Sequence, residues 1–357
     1  MKKGLIIFFI LPLILSAQSN SGKIKNPASL DSIVYDLTPK TLAPKGIGLP
    51  FSKFEVLDAR FDTSKLGFEY DRTVAFSYKN FKKIKLNGGV EKGIAEFYND
   101  YYQLALGGVG DKLLIVLKKL WIDNLPNRQI TENREDIVRN SFQDIHIKFE
   151  YYLHRNSDYF ALTRIDTVFQ LTEEILSTDE ENFKKNGMTF FNYSLKVNIE
   201  ALNFNELVAG AQAKRRLRIA EIDSFNLKRF SLPILTASAY AEGVFMNVNE
   251  FINNNPSVKK FTINKKKLLV SDDENYKSRF YWAYNDGSGL HFSPSKKVDL
   301  FRVGNTFEFF VIDEIYVNKT AAGTALNLLL FSPWGDGTSH RLVNSPRQID
   351  METGIIY

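Results

Sequence analysis

Residues 145–153 constrain the fold more than any other stretch. Ile145, Ile147, Phe149, Tyr151 and Leu153 alternate with His146, Lys148, Glu150, Tyr152 and His154. Side chains on a β-strand point to opposite faces in turn, so this run predicts one buried and one polar face. The turn Arg155-Asn156-Ser157-Asp158 leads to a second alternating run through Tyr159, Ala161, Thr163, Ile165, Thr167 and Phe169. Together they predict a β-hairpin. With Phe 29 and Tyr 16 in 357 residues, the chain favours pleated, half-buried surfaces and substantial β-structure.

Upstream, Phe54–Arg60 reads as a strand and Asp62–Gly67 as a turn-prone stretch. After Gly88-Gly89, Val90, Ile94, Phe97, Tyr101 and Leu104 step by four and three, the face of an amphipathic helix. Leu113–Leu117 is a continuous apolar run that suits a buried strand. A helical segment is expected from about Asn205 to Phe225. Strand, helix, strand, hairpin and helix predict a mixed α/β domain over 51–235. Pro233 and Ala237-Ser238-Ala239 mark a boundary. Beyond it, over 236–357, short strands and turns predict a β-rich domain, so the expected class is α+β. Asn285–Gly289 between Phe280–Tyr284 and Leu290–Phe292 is a hairpin signal, and Thr306–Ile312 is a further strand. Leu326–Phe331 reads as a buried strand and Gly335-Asp336-Gly337 as a turn.

The first seventeen residues carry a different message. Lys2 and Lys3 precede the apolar run Leu5–Leu11, followed by Ser16, Ala17 and Ser19. A charged start, a short apolar core and small residues are the pattern of a secretory signal peptide. The core is too short to cross about 30 Å of hydrocarbon. Export follows as an expectation, to the periplasm, the outer membrane or the medium, with 18–50 as an extended leader containing Pro27, Pro39, Pro44 and Pro50. No later stretch predicts a membrane span. An outer-membrane barrel would need many alternating segments of about ten residues, and the helical patterns at 89–105 and 205–225 oppose it.

Cysteine is absent, which removes disulfides, thiol nucleophiles and Cys-ligated metals. Net charge is +5, of which Lys2 and Lys3 supply two, and the basic runs at 82–83, 214–216 and 265–267 are scattered. That distribution predicts solvated surface and no nucleic-acid partner.

Two resemblances follow from particular residues. Phe54–Arg60, then Leu66-Gly67, a helix and a hydrophobic strand, resembles the opening of periplasmic auxiliary lipoproteins of lipid-transport systems over about 50–125, without their lipidated cysteine. Gly243–Met246, Glu250-Phe251, Asn254–Ser257, Tyr281–Gly287, Arg302–Phe307 and the terminal Ile349–Gly354 are similar to a module of uncharacterised secreted bacterial proteins over about 240–357. That family implies relatedness and no catalytic assignment.

The chemistry patterns point away from catalysis. His146 and His154 are eight residues apart on one strand, roughly 26 Å, too far for one metal. Both are expected to be exposed. Ser257–Lys260 and Ser293–Lys296 lack the companion motifs of penicillin-binding enzymes. Asp58 with Asp62, or Asp272 with Asp273, are nominal carboxylate pairs for glycan hydrolysis. The expectation is therefore no catalytic, cofactor or metal residues. Trp282, Tyr284 and Trp334 are a candidate binding surface, with Trp282 and Tyr284 on one strand face and Tyr281 on the other. Core packing competes for these aromatics. The functional expectation is an exported, non-catalytic envelope protein that binds a protein or envelope component; the alternative is an exported glycan hydrolase with paired carboxylates.

Overall fold

The computed structural model describes residues 26–37, 48–70, 81–104, 110–124, 128–132, 137–172, 188–263, 269–271, 281–292, 298–318 and 338–357. The fold is α+β and mainly β. The proposed signal peptide, Leu326–Phe331, Trp334 and the Gly335–Gly337 turn lie outside the described residues.

The first half builds ten strands: β1 (Ser32–Tyr35), β2 (Gly48–Leu49), β3 (Lys53–Asp58), β4 (Gly67–Tyr70), β5 (Phe81–Leu86), β6 (Gln103–Leu104), β7 (Lys112–Asn124), β8 (Arg128–Glu132), β9 (Ile137–Arg155) and β10 (Asp158–Thr172). Eight of them form one mixed sheet, ordered β1-β5-β4-β7-β9-β10, with β3 on β7 and β8 on β9; β2 and β6 pair separately. The sheet takes in Ser32–Tyr35, within the stretch expected to be an extended leader: β1 runs parallel to β5. The predicted hairpin is β9–β10, closed at Asn156, which takes the left-handed conformation at φ 56°.

Helix α1 (Val90–Tyr101) begins where the Gly88-Gly89 turn predicts. Its stripe Val90, Ile94, Phe97 and Tyr101 is buried. Helices α2 (Thr189–Glu200) and α3 (Phe204–Ala211) join it over the face made by Ile145, Ile147, Phe149, Tyr151 and Leu153. Aromatic rings fill this layer: Phe54 lies 5.2 Å from Tyr98, and Phe51 5.1 Å from Phe204 between ring centres. Buried tyrosines need hydroxyl partners. Tyr98 and Tyr102 donate to the carbonyls of Leu195 and Lys196, which ties α1 to α2.

The expected helix at 205–225 is instead α3 and α4 (Ile219–Arg229). Between them Leu217 exchanges both backbone hydrogen bonds with Tyr159, which stops the helix. That linkage lays α4 on the opposite face of the sheet, where Ile222 packs with Leu114, Val116 and Tyr152.

After the short helix α5 (Pro233–Thr236), strands are brief: β11 (Gly243–Phe245), β12 (Phe261–Ile263), β13 (Leu269–Ser271), β14 (Ala283–Asn285), β15 (Leu290–Phe292), β16 (Val298–Asp299) and β17 (Phe301–Val303). Helix α6 (Val248–Ile252) interrupts them. Then β18 (Thr306–Asn318) and β19 (Thr338–Gln348) form a long antiparallel pair. The sheets are β11-β14-β15-β16, β12-β13 and β17-β18-β19. Their core gathers Phe245, Phe251, Phe307, Phe309 and Met351. The last residues fold into a tight turn in which Gln348 and Tyr357 exchange backbone hydrogen bonds.

Candidate functional site

The densest chemistry lies where this terminal turn meets the first sheet. A β-bulge in β7 between Leu117 and Lys119 brings consecutive lysines into the contact. Lys119 pairs with Asp350, and its ammonium also donates to the Tyr357 hydroxyl, which in turn donates to Asp350 at 2.8 Å. Lys118 pairs with Glu150 at 3.3 Å. Glu352 takes Lys148 at 2.6 Å and Arg229 at 2.5 Å. Tyr357 itself packs on Trp121 and His146.

One step away, Lys65 is 1% exposed and lies between Asp62 and the fully buried Glu308. The Gln348 amide donates to both acids, at 3.0 and 3.1 Å. Burial pushes both carboxyls up. At Asp62 the Lys65 ammonium and the Ser64 donors outweigh burial and hold the group below its ordinary value. At Glu308 burial wins and the group is raised. Asp350 and Glu352 follow Asp62: burial opposes ionisation, and their lysine and arginine partners overcome it. Arg60 grips Asp58 through two nitrogens, each at 2.7 Å, and donates to the Lys65 carbonyl.

Arg60, Asp62, Lys119, Arg229, Asp350 and Tyr357 are among the groups that line a cleft of about 40 Å³. Small-molecule pockets usually run to about 300–1,000 Å³. The cleft has room for water-sized occupants. Each charged side chain on its wall has a partner of opposite charge within the fold: Arg60, Asp62, Lys118, Lys119, Arg229, Asp350 and Glu352.

A second polar group surrounds His291, which is 3% exposed. Its Nδ1 faces Asp299 at 3.0 Å, and its Nε2 faces Asp286 at 3.2 Å and the Ser288 hydroxyl at 3.3 Å. The outline is that of a serine-histidine-aspartate triad, but the proton bookkeeping differs. Ser288 donates its hydroxyl to Asp286, 2.5 Å away, so the imidazole is not positioned to take that proton. Both ring nitrogens face carboxylate oxygens. The arrangement clamps the β14–β15 turn to β16.

The histidines predicted as exposed are covered. His146 lies against Tyr357, while His154 stacks on Tyr159 and bonds Glu55 at 2.8 Å. The Lys112 ammonium and His154 outweigh burial and lower Glu55. Of the nominal acid pairs, Asp58 is held by Arg60 and Asp62 by Lys65; Asp272 and Asp273 lie outside the described residues. The acids that do converge, Asp62 with Glu308, are far apart in sequence. No group of three or more metal-ligating side chains with suitable geometry occurs among the described residues.

The candidate aromatics separate. Tyr284 is buried against Phe261, Tyr281 and His291, and burial raises its hydroxyl to about 12. Trp282 is half-buried in the other core, against Phe251 and Phe292. Strand alternation places Trp282 with Tyr284, but the ladder starts at Ala283, so Trp282 falls outside it and Tyr281 joins Tyr284.

No family model matches the chain, no curated protein matches it, and no solved structure matches it.

Proposed function

We propose that this chain is an exported, non-catalytic protein of the cell envelope that acts by binding a protein or envelope partner. The observation that carries the reading is the mutual pairing of the charges around the described cleft. A general acid or base must be free to exchange a proton with substrate. Here the acids and bases are committed to one another, and the cleft has a water-sized interior. Export rests on Lys2, Lys3 and the apolar run Leu5–Leu11. The likeness of 240–357 to a secreted module points the same way.

The test is cross-linking in intact cells, followed by capture of the tagged chain and mass spectrometry of its N-terminus. The reading expects a chain cleaved near Ala17 and a reproducible envelope partner. Full-length chain in the cytosolic fraction would overturn the export half. Turnover that disappears on one side-chain substitution would overturn the non-catalytic half.

One observation favours the glycan-hydrolase alternative: Asp62 and Glu308 are adjacent and shifted in opposite directions, as an acid–base pair requires. Against it, Lys65 lies between them and Glu308 has no solvent exposure. Hydrolysis of envelope glycans by the purified protein, lost in both Asp62→Asn and Glu308→Gln, would establish it.

A further inference from the structure

Strand edges expose backbone donors and acceptors, and proteins usually close them. On β3 this is done by α1: Asn99 accepts from the Phe54 amide and donates to its carbonyl, and Glu91 accepts from the Asp58 amide. The outer edge of β10 is treated differently along its length. Its start is closed by the Tyr159–Leu217 bridge, and Lys214 donates to the Leu162 carbonyl. From Thr163 to Thr172, no strand among the described residues pairs with the outer side of β10.

Charge is ordered along this open stretch. Arg164, Asp166 and Val168 stand exposed on one face, Val168 at 46%. In the β9 ladder Arg164 lies opposite Glu150 and Asp166 opposite Lys148, whose ammonium is 3.6 Å from the Asp166 carboxylate. Each of these β9–β10 pairs therefore joins opposite charges and ends on an exposed charge at the edge, one positive and the next negative.

We infer that β10 pairs antiparallel with β10 of a second copy of this chain, about a two-fold axis through Ile165. The register follows from charge. Centred on Ile165, Arg164 falls opposite Asp166 of the partner subunit, and Asp166 opposite the partner's Arg164. The row Lys148–Asp166 then continues into the partner's Arg164 and Glu150, alternating in sign without a break. Directly opposed charges of unlike sign stabilise a ladder, and like charges oppose it. Thr163 meets the partner's Thr167, and Ile165 meets itself. The bulge between Ala161 and Thr163 ends the straight segment at the point where Lys214 caps the edge. A two-fold contact of this kind is self-complementary and closed, so it adds one copy and stops.

Sedimentation of the purified protein tests the idea. The wild type should dimerise at concentrations below about 100 µM. Arg164→Glu and Asp166→Lys should each weaken the dimer by about tenfold or more, because each places like charges opposite one another. Mixed in equal amounts, the two variants should dimerise again: every opposed pair is then of unlike sign. Because the chain has no cysteine, Ile165→Cys provides a second readout that does not depend on the charge variants folding. Opposed strand residues have Cα atoms about 4.5–5.5 Å apart, within disulfide reach. Oxidation should cross-link Ile165→Cys, while Val34→Cys on the far edge strand should stay monomeric. A wild type that is monomeric at about 100 µM overturns the proposal, including the case where the edge serves a different protein. So does a dimer that ignores both charge variants and leaves Ile165→Cys uncross-linked.

Discussion

The two ends of the chain are held by different forces. The first sheet is covered on one face by α1, α2 and α3 through an aromatic and aliphatic layer. The C-terminal turn holds to the same sheet through Lys119, Lys148 and Arg229, with Tyr357 packed against Trp121. Apolar burial is non-directional and tolerates small shifts. Buried charge does not: removing one partner strands the other. The first sheet therefore depends on volume, whereas the contact between the halves depends on composition and on pH.

The largest effect should come from the apolar side. Phe149 is fully buried at the centre of β9. Phe149→Ala should cost about 3–5 kcal/mol in urea unfolding, the range for a large buried aromatic. A change below about 1 kcal/mol would mean the layer repacks freely. On the ionic side, Lys65→Met leaves Asp62 and Glu308 facing each other without their shared cation. That should also cost about 3–5 kcal/mol. Adding Asp62→Asn and Glu308→Gln to Lys65→Met should recover most of the loss, since no uncompensated charge remains there. If the single variant is as stable as wild type, the contrast between the two ends fails.

Much of the first sheet was readable from pattern, because period-two and period-3.6 signals report which side chains face a core. The inward face of β9 and the stripe of α1 are of this kind. The contact between the halves was not readable. In Phe307-Glu308-Phe309, alternation places Glu308 outward, yet all three are fully buried, because the strand is covered on both faces. The partner of Glu308 is Lys65, in a stretch that sequence marks only as turn-prone, and no local pattern encodes a pairing across 243 residues. His291 was passed over for a similar reason: its partners Asp286 and Asp299 come together only through strand pairing. Helix α2 carried a usable signal in Phe191, Leu195 and Ile199, but buried Asn192, Ser194 and Asn198 blur its amphipathic pattern.

Acid should separate the two ends in a defined order. Asp62, Asp350 and Glu352 have folded values below their ordinary ones. Their contribution is present above the unfolded carboxylate range and lost as pH falls through the folded values, below about pH 4. Glu308 is raised, so it acts oppositely: its ionisation costs stability as pH rises through its folded value. The first sheet's core carries few carboxylates and should outlast the contact. Hydrogen exchange checks this at the Gln348, Asp350 and Tyr357 amides, which close the terminal turn. Protection there should fall below pH 4 while that of Phe149 and Tyr151 persists. Loss of both sets together would show that the two ends unfold as one unit.

The smallest effect separates backbone strain from packing within the turn itself. Gly354 has φ 75°, and a Cβ there would lie 2.4 Å from Cγ2 of Val248, at the start of α6. Gly354→Ala should cost about 1–3 kcal/mol, part from the left-handed backbone and part from the clash. Only the clash can be relieved from the other side. In Gly354→Ala with Val248→Ala, the second substitution should cost less than it does alone, and the difference is the coupling between turn and helix. Additive costs would mean that Val248 already moves aside, leaving Lys119, Lys148 and Arg229 as the turn's principal hold on the rest of the molecule.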